Sequence, residues 1–207
     1  MITIQHLVDS TPVTARNQGK RPTCLAFAVT DLNRQYATDP LGPEYFYQEA
    51  IRRIPGWQPG RGLQRSAAED ASKLGHPLEA HFPYQNQEPT VPFAALPTSL
   101  TLHGRPVTFF NANVQQMITN IIAGVSMGVG LRLTQEFYSP VDGLIPYSTA
   151  VVPTSMIHAV VVAGLGHDGQ EPWFYIRNSW GPSWGRDGHA WIPAAYINAH
   201  AVCAFGV

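Results

Sequence analysis

The most distinctive stretch of the sequence is Ile176–His189, which reads IRNSWGPSWGRDGH. Apolar and aromatic residues at Trp173–Arg177 and His189–Ile192 predict strands on both sides of its glycine-rich turns. Asn178 would then follow a strand end, where its amide oxygen can accept an imidazole N–H and hold the ring in one tautomer. Trp180 can lie over that hydrogen bond and keep water from competing for it. The stretch therefore predicts the orienting part of a catalytic triad.

The imidazole that Asn178 would orient is found in His158, at the start of the apolar run His158–Ala163. This run predicts a buried strand. A histidine at a strand end that faces a cleft can take the proton of a thiol, and its imidazolium can then hold the thiolate as an ion pair. Taken alone, a histidine in this position also fits a hydrogen-bonded structural role.

The thiol is that of Cys24, in the first turn of a helix whose apolar stripe runs to about Tyr36 and which Thr23 is predicted to cap. Backbone N–H groups and the positive end of the helix dipole meet there, an arrangement that lowers the pKa of a thiol. Gln18 lies six residues upstream, in a turn-like loop from which its amide can serve as an oxyanion donor. A buried, inert cysteine and a solvated glutamine are the alternative interpretations.

The rest of the chain predicts helices in its first half and strands in its second. Further helices are predicted from Pro43 through Ile51 and from a capping box at Ser66–Glu69 to Gly75. An irregular, proline-rich crossover is predicted at Pro77–Pro106. A short helix at Val114–Ala123 and a strand at Val125–Leu133 are predicted to follow it. Helices followed by strands favour the α+β class, with each half supplying one wall of a cleft.

Composition excludes several classes of protein. The 207 residues are 44% hydrophobic and 13% charged, with a formal net charge of -1. This composition argues against a disordered chain, a nucleic-acid binder and a membrane protein. The glycine pattern at Gly164–Gly169 precedes a strand rather than a helix, so we interpret it as a hairpin turn and not a dinucleotide site. The histidines lack metal-ligand spacing, and we expect neither a metal nor a cofactor.

Three segments together resemble papain-like cysteine peptidases: Asn17–Ala28, His158–Gly166 and Ile176–His189. Their order and separations are similar to the family's across nearly the whole chain. The resemblance implies a single domain over residues 1–207, with the two-lobed α+β fold of that family. A helical lobe would span about residues 10–110 and an antiparallel, barrel-like β lobe about residues 111–207. The N-terminal strand would cross over to the β lobe, and the active-site cleft would lie between the lobes.

The resemblance also assigns roles to individual residues. It implies Cys24 as the nucleophile, His158 as the general acid and base, and Asn178 as the residue that orients the imidazole. Gln18 and the backbone N–H of Cys24 would form the oxyanion hole. The implied substrate-binding residues are Gly62, Leu63, Gly128, Ile157, Ala159, Trp180 and Trp184. Leu63, Gly128, Ile157 and Ala159 among them would line a roomy, apolar main pocket, and Gly62 would lie where the substrate backbone pairs with the enzyme. Trp184 would border the leaving-group side.

The sequence departs from the secretory members of that family near the nucleophile and at the cysteines. Arg21 and Pro22 stand where those members carry cysteine and glycine, and Val152 stands where a partner for Cys203 would be. We therefore expect Cys203 to be a buried thiol and the protein to work in a reducing compartment. We expect the few residues before Gln18 to leave no room for an inhibitory propeptide, so restraint would come from another polypeptide, from secretion out of the cell or from narrow substrate choice.

The function expected from these features is that of a cysteine endopeptidase that acts through a thioester on a protein or peptide. It would be a bacterial toxin or effector with a cognate inhibitor, located in the cytoplasm or delivered into that of a target cell. One alternative uses the same triad to deamidate or transglutaminate glutamine side chains. Another is a catalytically silent fold used for binding.

Overall fold

A computed structural model of the chain describes residues 1–8, 14–153 and 156–207. The chain divides into two compact units. The first, which we call the sheet unit, comprises Met1–Asn17 and Phe110–Phe205. The second, the helical unit, comprises Gln18–Phe109 and Gly206–Val207. Within the described ranges, no helix has the length and apolar character needed to cross a membrane.

The helical unit is built on three α-helices among its described residues: α1 (Cys24–Asn33), α2 (Pro43–Ile51) and α3 (Arg65–Ser72). A 3₁₀ turn at Arg34–Tyr36 continues α1. Helix α2 begins at a proline, whose fixed φ suits the first helical position, and it is buried along its whole length. It packs against both α1 and α3, and the apolar side chains at the centre are Phe27, Phe46, Ala50, Ile51 and Ala68. The predicted helix starts at Cys24 and Pro43 are confirmed.

Thr23 occupies the predicted cap position of α1 but makes no capping hydrogen bond, and the capping box predicted at Ser66–Glu69 is wrong. Thr23 precedes α1, but its hydroxyl pairs with the Tyr84 hydroxyl at 2.8 Å and makes no cap hydrogen bond. Ser66 lies inside α3 rather than before it, and the cap position is Gln64. The Glu69 carboxylate, expected to reach back to Ser66, instead accepts the backbone N–H of Phe109 at 3.2 Å.

The sheet unit contains antiparallel strands in the order β7-β3-β4-β5-β6, and β1 pairs with β4 beyond the end of β3. The bounds of the strands are β1 (Thr3–Leu7), β3 (Met127–Leu131), β4 (His158–His167), β5 (Pro172–Arg177), β6 (His189–Pro193) and β7 (Ala201–Gly206). The short strand β2 (Thr108–Phe110) lies where the chain passes between the units. With helices in one unit and an antiparallel sheet in the other, the predicted α+β class is confirmed.

Successive side chains of a strand point to opposite sides, so the two faces of this sheet carry different residues. Residues of one face form the core of the unit together with helices α4 (Val114–Ile122) and α6 (Ala194–His200). Strand residues in this core are Met127, Val129, Leu131, Val160, Val162, Phe174, Ile176 and Ala204. The alternate positions of β3, β4 and β7 form the opposite face and are Gly128, Gly130, Ala159, Val161, Cys203 and Phe205.

Some elements in and next to the sheet unit were not predicted from the sequence. These are β2, the short helix α5 (Gln135–Tyr138), α6 and β7. Each is short, and α6 passes directly into β7 through an alanine-rich stretch without a turn signal. Their conformation depends on packing against the core rather than on local preference.

Candidate active site

His158 is positioned by the register of β4, whose first residue it is. It lies opposite Leu131 of β3, and its side chain shares the core face with Val160 and Val162. The edge of the Phe137 ring packs against it, with 5.8 Å between the ring centroids. Only 6% of the residue is exposed. The strand therefore holds the imidazole at the rim of an apolar core.

Asn178 directly follows β5 and fixes the protonation of the His158 ring. Its Oδ1 lies 2.6 Å from His158 Nε2 and also accepts the backbone N–H of Ser179 at 2.8 Å. Because this oxygen can only accept, Nε2 of His158 must carry the ring hydrogen. The other ring nitrogen, Nδ1, is then the one with the lone pair. His158 thus has Nδ1 as its basic atom.

The position of Asn178 depends on the glycine turn of the stretch Ile176–His189. The Asn178 N–H donates to the Gly188 carbonyl at 3.0 Å. Gly188 has a φ of +79°, and a Cβ there would lie 2.0 Å from Cβ of Ala15. Only glycine meets both demands, so this turn requires glycine at that position.

Burial governs the charge of His158. Desolvation lowers the pKa of His158 to about 4, although the hydrogen bond to Asn178 acts in the opposite direction. A histidine with this pKa is neutral at pH 7. In the sheet unit His158 is therefore a neutral imidazole at pH 7.

Two tryptophans of the same stretch lie beside His158 and Phe137. The Trp180 ring centroid is 4.6 Å from that of His158, and its ring also stacks on Tyr138 at 5.5 Å. Trp184 is buried and donates its Nε1–H to the Phe137 carbonyl at 2.9 Å. The structure thus brings together His158, Asn178 and Trp180, as the sequence predicts, while their catalytic roles remain predictions.

The helical unit holds Cys24 as the first residue of α1, half-buried and not in a disulfide. Gln18 is buried in the preceding loop, and its Nε2 donates to the Arg21 carbonyl at 2.7 Å. The same carbonyl accepts the Thr23 N–H at 2.9 Å. A carboxamide carries two N–H groups, and this bond fixes the plane that contains both. The loop therefore determines the direction of the Gln18 amide relative to the start of α1.

The other candidate substrate residues fall into different environments. Gly62 is exposed in the loop before α3, with Leu63 half-buried beside it. A Cβ at Gly62 would meet nothing within 4 Å, so nothing within the protein excludes a side chain there. Ile157 is exposed and Ala159 is buried in β4. Gly128 is buried in β3, where a Cβ would lie 2.0 Å from the ring of Phe205. The close packing of Phe205 on this glycine gave no signal in the sequence.

The sequence did not predict two further sets of contacts beside the candidate site. Tyr138 stacks on Trp180, and Tyr84 contacts both Gln18 and Thr23. These contacts join residues that are far apart in the chain, so no local sequence pattern predicts them. Among the described residues, no three His, Cys, Asp or Glu side chains cluster as metal ligands would.

Comparison with known proteins identifies the family of this chain. Residues 60–204 match the profile of the family described as "Papain family cysteine protease", which is more than half of the chain. Digestive cysteine proteinase 1 of Homarus americanus is 24% identical over 197 residues, covering 86% of this chain and 57% of that protein. Papaya proteinase 4 of Carica papaya is 28% identical over 144 residues, covering 69% of this chain and 40% of that protein. The chain thus spans about half the length of these curated relatives.

Solved structures show the same fold. Xylellain, a cysteine protease from Xylella fastidiosa, superposes with a TM-score of 0.76 at 19% identity, covering 99% of this chain and 85% of that one. A digestive procathepsin L2 proteinase from Tenebrio molitor larval midgut gives 0.73 at 18% identity, covering 94% of this chain and 64% of that one. The papain-like α+β fold implied by the sequence is confirmed. By its fold and by the match over residues 60–204, the chain belongs to the papain family of cysteine proteases.

Proposed function

We propose that this chain is a cysteine endopeptidase that hydrolyses peptide bonds with Cys24, His158 and Asn178 as its triad. The observation that carries the proposal is the 2.6 Å hydrogen bond between His158 Nε2 and Asn178 Oδ1, which leaves Nδ1 as the basic atom. Cys24 begins a helix, where backbone N–H groups favour a thiolate. The family match supports the same chemistry.

The reaction would proceed through an acyl-enzyme. His158 Nδ1 takes the thiol proton while the Cys24 sulfur bonds to the peptide carbonyl carbon, whose oxygen becomes an oxyanion. The Gln18 amide and the Cys24 backbone N–H would donate to that oxygen. Collapse breaks the C–N bond, and the His158 imidazolium gives its proton to the departing amine. Water then attacks the thioester and gives a proton to His158, the C–S bond breaks, and the thiol is restored.

The connection of the chain supports the role of Gln18. Asn17 forms an isolated antiparallel bridge with Trp180, and Gly181 donates its N–H to the Arg16 carbonyl at 3.0 Å. Gln18 follows Asn17 directly in the sequence. The residue proposed as oxyanion donor is therefore joined by one peptide bond to a residue paired with the segment that carries Asn178.

Active-site labelling tests the proposal and separates it from its alternatives. A thiol-directed peptidyl epoxide should alkylate Cys24 at neutral pH in the wild-type protein and leave Cys24→Ala unlabelled. Absence of an adduct on the wild-type protein would favour a silent fold used for binding. The labelled enzyme should also cleave peptides; ammonia release from glutamine substrates without cleavage would favour deamidation. The Cys203→Ala variant, which leaves the proposed nucleophile in place, is the matched control.

Substrate preference forms a second part of the proposal. Gly62, Leu63, Gly128, Ile157, Ala159, Trp180 and Trp184 would contact the peptide, and the pocket would accept an apolar side chain. Exposed Ile157 and half-buried Leu63 supply apolar surface that supports this preference. Profiling with a peptide library should show selection for apolar residues before the scissile bond. Selection for charged residues there would contradict it.

We also propose that the enzyme acts in a reducing cytoplasm, as a toxin or effector aimed at a specific protein and restrained by an inhibitor protein. The support is that Cys24 and Cys203 are both thiols, while Arg21 and Val152 occupy positions where secretory relatives carry cysteines. Reductant should therefore not lower the unfolding temperature. Expression of the active chain without harm to the host, and with no partner recovered on Cys24→Ala as bait, would count against the effector role.

A further inference from the structure

A single hydroxyl in the helical unit ties the two ends of the loop that precedes Cys24. The Tyr84 hydroxyl donates to the backbone carbonyl of Gln18 at 2.8 Å. It also lies 2.8 Å from the Thr23 hydroxyl. Because the one hydrogen of Tyr84 goes to the carbonyl, the Thr23 hydroxyl must be the donor in the second bond. Tyr84 therefore joins Gln18 to the residue immediately before Cys24.

Two further side chains of the helical unit contact the Tyr84 ring. The guanidinium of Arg21 lies 4.8 Å from the ring centroid, and the Phe27 ring of α1 meets it edge-on at 4.8 Å. Arg21 is itself buried and fixed by a salt bridge to Glu44 at 2.5 Å and another to Glu88 at 2.8 Å. It also donates to the backbone carbonyl of Gln85, the residue after Tyr84.

The backbone of Arg21 also joins residues of the loop that precedes Cys24. Its carbonyl accepts both the Gln18 side-chain N–H and the Thr23 backbone N–H. Gly19, with φ at +63°, provides the turn between them. The loop thus has an inner tie at the Arg21 carbonyl and an outer tie at the Tyr84 hydroxyl. Together the two ties set where the Gln18 amide lies relative to the first N–H of α1.

We propose that Tyr84 is a positioning residue for the oxyanion hole, with Arg21 as its support. Oxyanion stabilisation depends on donors held within tenths of an ångström of the developing charge. A residue that fixes the distance between Gln18 and Cys24 acts on the acyl-transfer steps and not on the reactivity of the thiol itself. This inference rests on the peptidase function proposed above.

A positioning role for Tyr84 predicts different effects on two rates, that of peptide hydrolysis and that of Cys24 alkylation. A merely structural residue would affect both rates alike. Hydrolysis of a peptide builds an oxyanion, whereas alkylation of Cys24 by iodoacetamide forms an S–C bond, releases iodide and builds none. Tyr84→Phe should lower kcat for peptide hydrolysis about tenfold, with little change in KM. It should leave the alkylation rate of Cys24 within about twofold of wild type. Thr23→Val, which removes the other end of the outer tie, should show the same pattern.

Tyr47→Phe is the matched control for lost stability. It removes a hydroxyl that donates to Glu88 at 2.5 Å in the same cluster, but it contacts neither Gln18 nor Thr23. It should lower the unfolding temperature as Tyr84→Phe does and change kcat by less than about twofold, because Arg21 keeps its salt bridge to Glu44. Equal losses of kcat in the two variants would overturn the positioning role, as would a parallel loss of alkylation rate in Tyr84→Phe.

A double-mutant cycle identifies the route of the effect. Gln18→Ala should lower kcat by about 10²-fold, and the variant that combines it with Tyr84→Phe should fall no further. Multiplication of the two losses would show that Tyr84 does not act through Gln18. If wild-type protein shows no Cys24-dependent hydrolysis, the proposed function itself fails. If wild type is active and Tyr84→Phe is equally active, only the present inference fails.

Discussion

The Trp180 ring centroid lies 4.6 Å from that of His158, with 39° between the ring planes. Trp180 thus covers the imidazole whose Nε2–H donates to Asn178. A covered hydrogen bond in an apolar setting is protected from competition by water, and the covered ring resists protonation. Trp180 therefore serves both the orientation and the neutrality of His158.

Removal of this cover should raise the pKa of His158. Trp180→Ala admits water to the ring, and because desolvation is the main cause of the low value near 4, the pKa should move toward 6.5. Titration of the His158 C2 proton by NMR measures the change directly. Tyr138→Ala removes a ring that stacks on Trp180, so its effect should be smaller. An unchanged His158 pKa in Trp180→Ala would contradict this account.

Burial of neutral His158 should make the fold less stable in mild acid. The pKa is about 4 in the folded state and about 6.5 in the unfolded state, so between these values the unfolded chain binds the extra proton. The contribution is fully present above pH 6.5 and is lost as pH falls toward 4. From pH 7 to pH 5 the loss is about 2 kcal/mol.

A non-titrating variant isolates this loss from that of the carboxyl groups. Urea unfolding of wild type and His158→Gln at both pH values gives the difference in the free energy of unfolding at each. The advantage of wild type over the variant should shrink by about 2 kcal/mol between pH 7 and pH 5. Parallel losses in the two proteins would assign the acid sensitivity to other groups.

Loss of the Arg21 charge should destabilise the helical unit strongly. Burial alone lowers the pKa of Arg21, but the hydrogen bonds to Glu44 and Glu88 outweigh it and raise the pKa, so the side chain stays charged. Arg21→Met leaves the fully buried Glu44 without its counter-ion, which costs about 3–5 kcal/mol in the free energy of unfolding.

Two further variants give this measurement its controls. Addition of Glu44→Gln to Arg21→Met removes the orphaned charge and should recover part of the loss. Lys73→Met breaks the exposed pair with Asp70 and should leave the unfolding midpoint unchanged. An Arg21→Met protein as stable as wild type would show that the buried pair adds no net stability.

Two glycines should respond in opposite ways to alanine. A methyl group at Gly128 would lie 2.0 Å from the Phe205 ring, so Gly128→Ala should lose about 1–3 kcal/mol of stability by overpacking. Gly62→Ala meets no atom within 4 Å and should unfold at the wild-type temperature. If a substrate backbone approaches Gly62 as proposed, that variant should still lose peptidase activity, seen as a lower kcat/KM. Full activity in Gly62→Ala would remove Gly62 from the substrate-binding residues.

The sequence was sufficient for elements with a strong apolar signal or a clear start. Helix α2 has the predicted bounds, and strands β5 and β6 lie where the apolar runs predicted them. Strand β4 covers its predicted run but continues to His167, so the hairpin turn predicted at Gly164–Gly169 lies only between His167 and Pro172. The predicted capping hydrogen bonds do not form because Thr23 and Glu69 found partners 61 and 40 residues away. Local patterns describe preferences of the backbone, whereas tertiary partners decide where a polar side chain bonds.

The same distinction applies to the candidate site. His158 and Asn178 could be paired from sequence because His158 begins one recognisable strand segment and Asn178 follows another, within one family resemblance. The tie from Tyr84 to Gln18 spans 66 residues and depends on the side-chain conformation of one hydroxyl. The packing of Phe205 on Gly128 depends on the register between β3 and β7, which composition does not specify.

Strand register also limits which insertions and deletions this protein can tolerate. His158 pairs with Leu131, and Val161 pairs with Arg177 one residue before Asn178. A one-codon deletion within β4 between His158 and Val161, with the pairing of Val161 and Arg177 kept, would turn the imidazole to the other side of the sheet. The strands would still form, but the ring would part from its amide. Length changes between relatives should therefore accumulate in loops and spare the short tract from Val160 to Val162.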